Sequence, residues 1–368
     1  MPQTASDAAT ATDAASNFVD GSIAPRDTGT VPDSGRDAGS RDVDAATPPP
    51  RDFELWFTPN IGSRDMLELF TAPDAWSTAR TRVQVMKLYS SQIKAVLPEH
   101  CPMCGPNLRP ALQSAGVFER LDAWGIALAT ESGVVKPGAC LAEGERGTIA
   151  DARWTLSLVE ENGGTLAAIA MDEPYRGGEM EFAGVRCGYS MEQSADQTVA
   201  WLEGVRALRP GIALGDIEPY PHFSAPELIA WLDALAARGG TLDFFHLDVD
   251  LNALKHQTTA TTARDLRTLR DAASARGIPF GVIVIGNEWL MNRSSDQPRS
   301  YYETSTAWAR EIEAAIGAPD HVLVQSWVDS SGMGEDGSTR ILPVNLPEGA
   351  PHTHATIIEE VYQDLHTP

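Results

Sequence analysis

Ala168-Ile169-Ala170-Met171-Asp172-Glu173-Pro174-Tyr175 is an apolar, strand-like run that ends abruptly in two carboxylates and a proline. Val282-Ile283-Val284-Ile285-Gly286-Asn287-Glu288-Trp289 repeats the plan, again with a glutamate just past the run. Near-continuous apolar runs of this length read as strands buried on both faces, which parallel sheets require. Six more such runs are spread along the chain, and amphipathic helical stretches alternate with them.

In order, the expected strands are Phe53–Thr58, Val83–Tyr89, Ile126–Glu131, Leu166–Met171, Ile212–Pro219, Phe244–Asp250, Phe280–Ile285 and Val322–Trp327. Helices are expected at Asp65–Phe70, Leu108–Trp124, Asp151–Asn162, Ser194–Leu208, Ala225–Arg238, Thr261–Arg276, Tyr301–Ile316 and Thr353–Leu365. Tyr175–Met191 reads as a long loop. Eight strands alternating with helices make a (β/α)8 TIM barrel. An open doubly wound sheet would want a glycine-rich phosphate loop after its first strand. Pro59-Asn60-Ile61-Gly62-Ser63 is no such loop.

Residues 1–50 have a different composition: no lysine, no glutamate, and repeated Asp, Ala, Thr, Ser, Gly and Pro, ending in Pro48-Pro49-Pro50. Their few apolar residues cannot offset the entropy of ordering such a segment. The expected organisation is therefore a disordered linker at 1–50 and a barrel domain at 51–368. The linker resembles the tethers of bacterial surface lipoproteins, which implies a secreted or cell-surface location. No signal peptide opens the sequence, and a cytoplasmic protein with an irregular N-terminus is the alternative.

The net charge of −23 disfavours nucleic acid and anionic membrane as partners. No run approaches the roughly 18–20 apolar residues of a membrane span. A monomer is expected. Cys101, Cys104, Cys140 and Cys187 all fall in the long connections. Two disulfides would suit an exported protein, and the C-x-x-C at 101–104 leaves a zinc site with His100 as the alternative.

A barrel gathers the C-terminal ends of all its strands on one rim, where active sites lie. The residues expected there are Asn60, Tyr89, Glu131, Asp172, Glu173, Asp216, Glu218, His246, Asp248, Asp250, Asn287, Glu288 and Trp327. Any single one is as easily a helix cap or turn residue. Together, many carboxylates around aromatic rings suit a sugar, which offers hydroxyls to the first and an apolar face to the second.

Glu173-Pro174 after the fourth strand and Glu288 after the seventh resemble the clan A retaining glycoside hydrolases. The resemblance implies Glu173 as acid/base, Glu288 as nucleophile and Trp327 as a sugar platform, over about residues 53–366. It implies a carbohydrate substrate and neither cofactor nor metal. In that clan an asparagine precedes the acid/base and binds the sugar 2-hydroxyl; here Asp172 stands in its place. The clan's sixth-strand tyrosine is also missing, with His246, Asp248 and Asp250 there instead. Asp172, Glu131, Asp216, Glu218, His246, Asp248, Asp250, Asn287, Trp289, Trp327 and Tyr89 are the expected substrate contacts. Ile217-Glu218-Pro219-Tyr220 echoes the fourth-strand motif, so Glu218 competes with Glu173 for the acid role. An inverting hydrolase using Glu218, Asp248 or Asp250, and a carbohydrate-binding barrel without turnover, are the rival readings.

Overall fold

In the computed structural model, the described residues are 53–60, 63, 65–90, 93, 115–135, 148–182, 185–286, 294–326 and 342–366. They contain a closed, all-parallel barrel. Its strands are β1 (Glu54–Thr58), β2 (Val85–Tyr89), β3 (Ala127–Gly133), β4 (Leu166–Asp172), β5 (Ala213–Tyr220), β6 (Phe244–Val249), β7 (Phe280–Val284) and β8 (His321–Gln325). Each pairs with its neighbours in sequence, and β1 closes the ring on β8 in the register Glu54↔His321 to Thr58↔Gln325. The (β/α)8 expectation holds, because every run long and apolar enough to be buried on both faces found a place in one sheet.

The main helices of the outer ring are α1 (Ser77–Arg82), α2 (Val117–Ala123), α3 (Ile149–Glu161), α4 (Met191–Leu208), α5 (Ala225–Ala236), α6 (Thr259–Ser274), α7 (Gln297–Ile316) and α8 (His354–His366). Their starts follow from local chemistry. Thr148 and Thr258 accept backbone N–H bonds at the head of α3 and α6. Ser190 and Gln193 cap α4 reciprocally, and the Glu227 carboxylate accepts from Ser224 N at 2.8 Å at the head of α5. These bonds satisfy the orphan donors that every helix N-terminus presents. Trp231 of α5 and Trp308 of α7 are fully buried against the barrel wall, and each indole N–H finds an acceptor there.

Tyr175–Met191 is not a featureless loop. A short helix, Pro174–Glu179, begins directly after Glu173, and Glu181–Phe182 pairs antiparallel with Val185–Arg186. Proline at the first helical position is pre-set for that turn, while Gly177 and Gly178 hide it from a propensity reading. Gly178 is required by packing, since a Cβ there would run into Ser194.

The lower half of the barrel interior is aromatic. Trp56 on β1 stacks on His321 of β8 at 5.5 Å and meets the His246 ring of β6 edge-on at 5.0 Å. Phe244 lies against His246 at 4.5 Å. β1 and β6 are not neighbours in the sheet, so these rings meet across the barrel axis. Gly215 and Gly281 leave the room they occupy: an added Cβ would collide with Phe244 in the first case and with His246 in the second.

The expected linker, residues 1–50, lies outside the described residues. Among the described residues no helix is long and apolar enough to cross a membrane. Of the four cysteines only Cys187 is among them, and it is not a free thiol.

Candidate active site at the barrel mouth

Alternation along each strand decides which carboxylates reach the barrel mouth. On β6, Phe244 and His246 face the interior, so Asp248 follows on the same face one layer nearer the mouth. On β5 the parity runs the other way. Asp216 and Glu218 share the face of Tyr220, whose hydroxyl meets Gln257 and Asp265 of the helical layer at 3.0 and 2.9 Å. Asp216 accepts from the Trp231 indole at 2.7 Å. Glu218 accepts from Tyr175 N at 2.6 Å and Arg176 N at 3.4 Å. Two residues expected to touch substrate are thus engaged behind the wall, Asp216 with α5 and Glu218 with the head of the short helix.

Glu173 sits at the junction of these layers. Its backbone N–H donates to Ile217 O of β5 at 2.9 Å, and its φ of +50° is a left-handed conformation. For a residue with a Cβ that conformation costs about 1 kcal/mol or more and persists only where surroundings impose it. Here Pro174 fixes the next residue and Glu218 holds the two that follow, so the turn throws the Glu173 side chain off the strand end. Its Oε1 accepts from Arg176 Nη1 at 3.1 Å, in a pair whose carboxylate side is 13% exposed.

Asp248 has Glu173, Glu131 and Asp172 as negative neighbours and Lys87 as a positive one. Burial first, then those carboxylates, push its pKa up to about 7, against the pull of Lys87. Tyr89 is pushed well above the usual phenol value by burial, and then by Glu131, Asp248 and Asp172. Its hydroxyl reaches Ser326 O only at 3.4 Å. The charges of Glu131, Asp172 and Glu173 act on Asp248, and those of Glu131, Asp172 and Asp248 on Tyr89, so these groups form one electrostatic cluster.

Lys87, absent from the sequence-based site, lies inside this cluster. Its side chain is fully buried, and its ammonium group bonds Glu131 Oε2 and, at 2.6 Å, Gln325 Oε1. The available signal was a lone lysine inside the apolar run Val85-Met86-Lys87-Leu88-Tyr89. Asn60, also fully buried, exchanges backbone and amide hydrogen bonds with Asn345 at 2.9 Å, clamping the turn after β1.

Two expectations need correction in position. His246 is not on the rim: it is fully buried one layer below Asp248, with Nε2 2.9 Å from His321 Nδ1. Burial and the neighbouring His321 and Lys87 hold its pKa well below the ordinary value. Asp250 is exposed and caps Leu251–Leu254, accepting from Asn252 N and Ala253 N at 2.8 and 3.0 Å. Asn287, Glu288, Trp289 and Trp327 lie outside the described residues.

Glu218 and Asp216 carry shifts of their own. Burial, opposed by the Trp231 bond, raises Asp216 to about 7. Burial and the Asp216 and Glu173 charges push Glu218 up, against the two backbone donors. Among the described residues no group of three or more His, Cys, Asp or Glu side chains is placed to hold a metal ion.

No protein-family profile matches this chain, and no curated protein matches it. Solved structures do. GH5_18 from Streptomyces cattleya in complex with GlcNAc is 12% identical, covering 86% of this chain and 82% of that one with a TM-score of 0.50. A glutamate-to-alanine form of GH5_18 from the same organism, in complex with Manb1-4GlcNAc, gives the same identity and coverage with a TM-score of 0.54. At such identity the likeness shows the barrel fold alone. A GH10 xylanase from Thermobacillus composti at a TM-score of 0.48 and a Thermotoga maritima aldolase at 0.41 are weaker still and carry no argument.

Proposed function

We propose that this protein is a glycoside hydrolase that cleaves O-glycosidic bonds of a poly- or oligosaccharide with retention of configuration. Glu173 is the acid/base and Glu288 the nucleophile. The observation that carries the reading is the placement of Glu173. A left-handed turn at the end of β4 carries its side chain off the strand, where its charge acts on Asp248 together with those of Glu131 and Asp172.

In this reading Glu288 attacks the anomeric carbon as Glu173 gives its proton to the departing glycosidic oxygen. A water then enters, Glu173 takes its proton, and the glycosyl–Glu288 bond breaks with release of the sugar. Asp248 and Glu173 carry like charges that act on one another, and the Arg176 guanidinium holds Glu173 Oε1 at 3.1 Å. Substrate binding would therefore have to loosen the Arg176 contact before acid catalysis. Asp172, Tyr89, Asn287, Trp289 and Trp327 are proposed sugar contacts, and Asp216, Glu218, His246 and Asp250 act through structure. A carbohydrate ligand is also what the GH5_18 structures hold. The N-terminal segment is proposed as a surface tether and Cys187 as half of a disulfide with one of the other three cysteines.

One observation favours a second reading. A carboxyl poised near 7, as at Asp248, suits a general acid at neutral pH, and an inverting mechanism would use it. A panel of polysaccharides with NMR analysis of the first-formed anomer tests both. Retained configuration supports the Glu173–Glu288 pair, inverted configuration supports Asp248, and failure to cleave any member counts against hydrolysis.

A further inference from the structure

A lysine in the middle of a barrel strand is expensive to bury. The strand is otherwise apolar, and a buried ion pair is commonly matched or exceeded in stability by well-packed hydrophobic residues. Methionine would fill the same unbranched volume. The contacts of Lys87 point to another role. In the sheet register it sits beside Ala129, whereas its ammonium reaches Glu131, which is level with Tyr89, one layer nearer the mouth. It also spans the interior side of β1 to reach Gln325 on β8. The backbone carbonyl of Gln325 in turn accepts from the Tyr301 hydroxyl. One cation thus ties the outlet ends of β3 and β8, the second of which leads directly into Ser326 and Trp327.

We propose that Lys87 is a positioning residue of the mouth, fixing the Glu131 carboxylate and the Gln325 amide and supplying a positive charge near Asp248. The role in turnover rests on the hydrolase reading; the electrostatic role does not. Among the described residues, the groups that act on Asp248 are Glu173 and Asp172 at the end of β4, Glu131 on β3, and Lys87 and Tyr89 on β2. Three of these are carboxylates, and the Lys87 ammonium opposes their effect on Asp248. Without it Glu131 would also lose the partner that holds it on the β2 side, and the β8 outlet would be free to shift.

The test is a carbon-13 NMR titration of the Asp248 carboxyl, assigned with Asp248→Asn, in the wild type and in Lys87→Met. The proposal expects the midpoint to rise by roughly half a unit or more in Lys87→Met. An unchanged midpoint in a variant that still unfolds cooperatively overturns it. Should Lys87→Met not fold, Lys87→Gln keeps a hydrogen-bonding group without the charge and must give the same upward shift. Because the titration uses no substrate, it can fail or succeed whatever becomes of the hydrolase reading. On a polysaccharide that the wild type cleaves, Lys87→Met is expected to lower kcat about 10- to 100-fold and move a limb of the pH–rate profile upward. A purely structural role would leave that limb in place.

Discussion

Glu173 and Glu218 offer the sharpest perturbation, since both precede a proline-tyrosine pair and both lie near the end of a barrel strand. In the structure Glu218 is fully buried and accepts from Tyr175 N at 2.6 Å and Arg176 N at 3.4 Å. Glu218→Gln keeps an amide oxygen for the Tyr175 N–H and risks only the longer bond. Burial already favours the neutral form of Glu218, so the amide is close to it in shape and charge. The expected loss is about 1 kcal/mol or less. Glu218→Ala removes both acceptors from a buried turn, which costs about 1–3 kcal/mol for the stranded N–H and more for the cavity. A total near 3 kcal/mol is expected. Because that turn holds Glu173 in its left-handed conformation, Glu218→Ala should also lower turnover. Denaturant unfolding and hydrolysis rates, measured side by side, check both numbers. Near-wild-type turnover in Glu218→Gln is the expected result. A folded Glu218→Gln that has lost all activity would refute the reasoning and make Glu218 the acid.

His354 supplies a pH prediction. It is fully buried at the head of α8, and burial lowers its pKa from 6.5 to about 4. Between these values the unfolded chain binds the proton and the folded one does not, so stability falls as pH drops below about 6.5. Relative to His354→Leu, the wild type should lose about 2.5 kcal/mol between pH 7.5 and 4.5; equal differences at the two pH values would contradict the burial. Gly215→Ala, whose Cβ would strike the Phe244 ring inside the barrel, should destabilise by about 1–3 kcal/mol or more, read from the denaturation midpoint. Trp231→Phe should cost about 1–3 kcal/mol, because it takes the indole donor from the buried Asp216 Oδ2. Replacing Asp216 by Asn in that background should recover part of the loss.

The barrel was legible because each strand is an apolar run that stops at polar residues, and parallel barrels bury both faces. That same property hid which polar residues face the mouth. Gly215, Asp216, Ile217 and Glu218 are buried on whichever side they lie, so hydrophobic alternation gives no sign that Asp216 and Glu218 point outward. His246 was placed a layer too high because nothing in Phe244-Phe245-His246-Leu247-Asp248 marks where the rim begins; only its contact with His321, far away in sequence, does. Asp250 reads as a rim acid until its bonds to Asn252 N and Ala253 N reveal a helix cap. Lys87 was missed for the opposite reason: it was visible, but a charge in an apolar run carries meaning only once Glu131 and Gln325 are seen beside it. The end of β4 at Asp172 was legible because Pro174 cannot continue the ladder and opens the next turn.

The central claim is that Glu173 moves the proton in glycosidic cleavage, and the most direct measurement is the hydrolysis rate of Glu173→Gln on a polysaccharide that the wild type cleaves. With unfolding unchanged, the rate should fall by about 10²–10⁴-fold, and least for substrates whose leaving group needs no proton. Full activity in that folded variant would contradict the account.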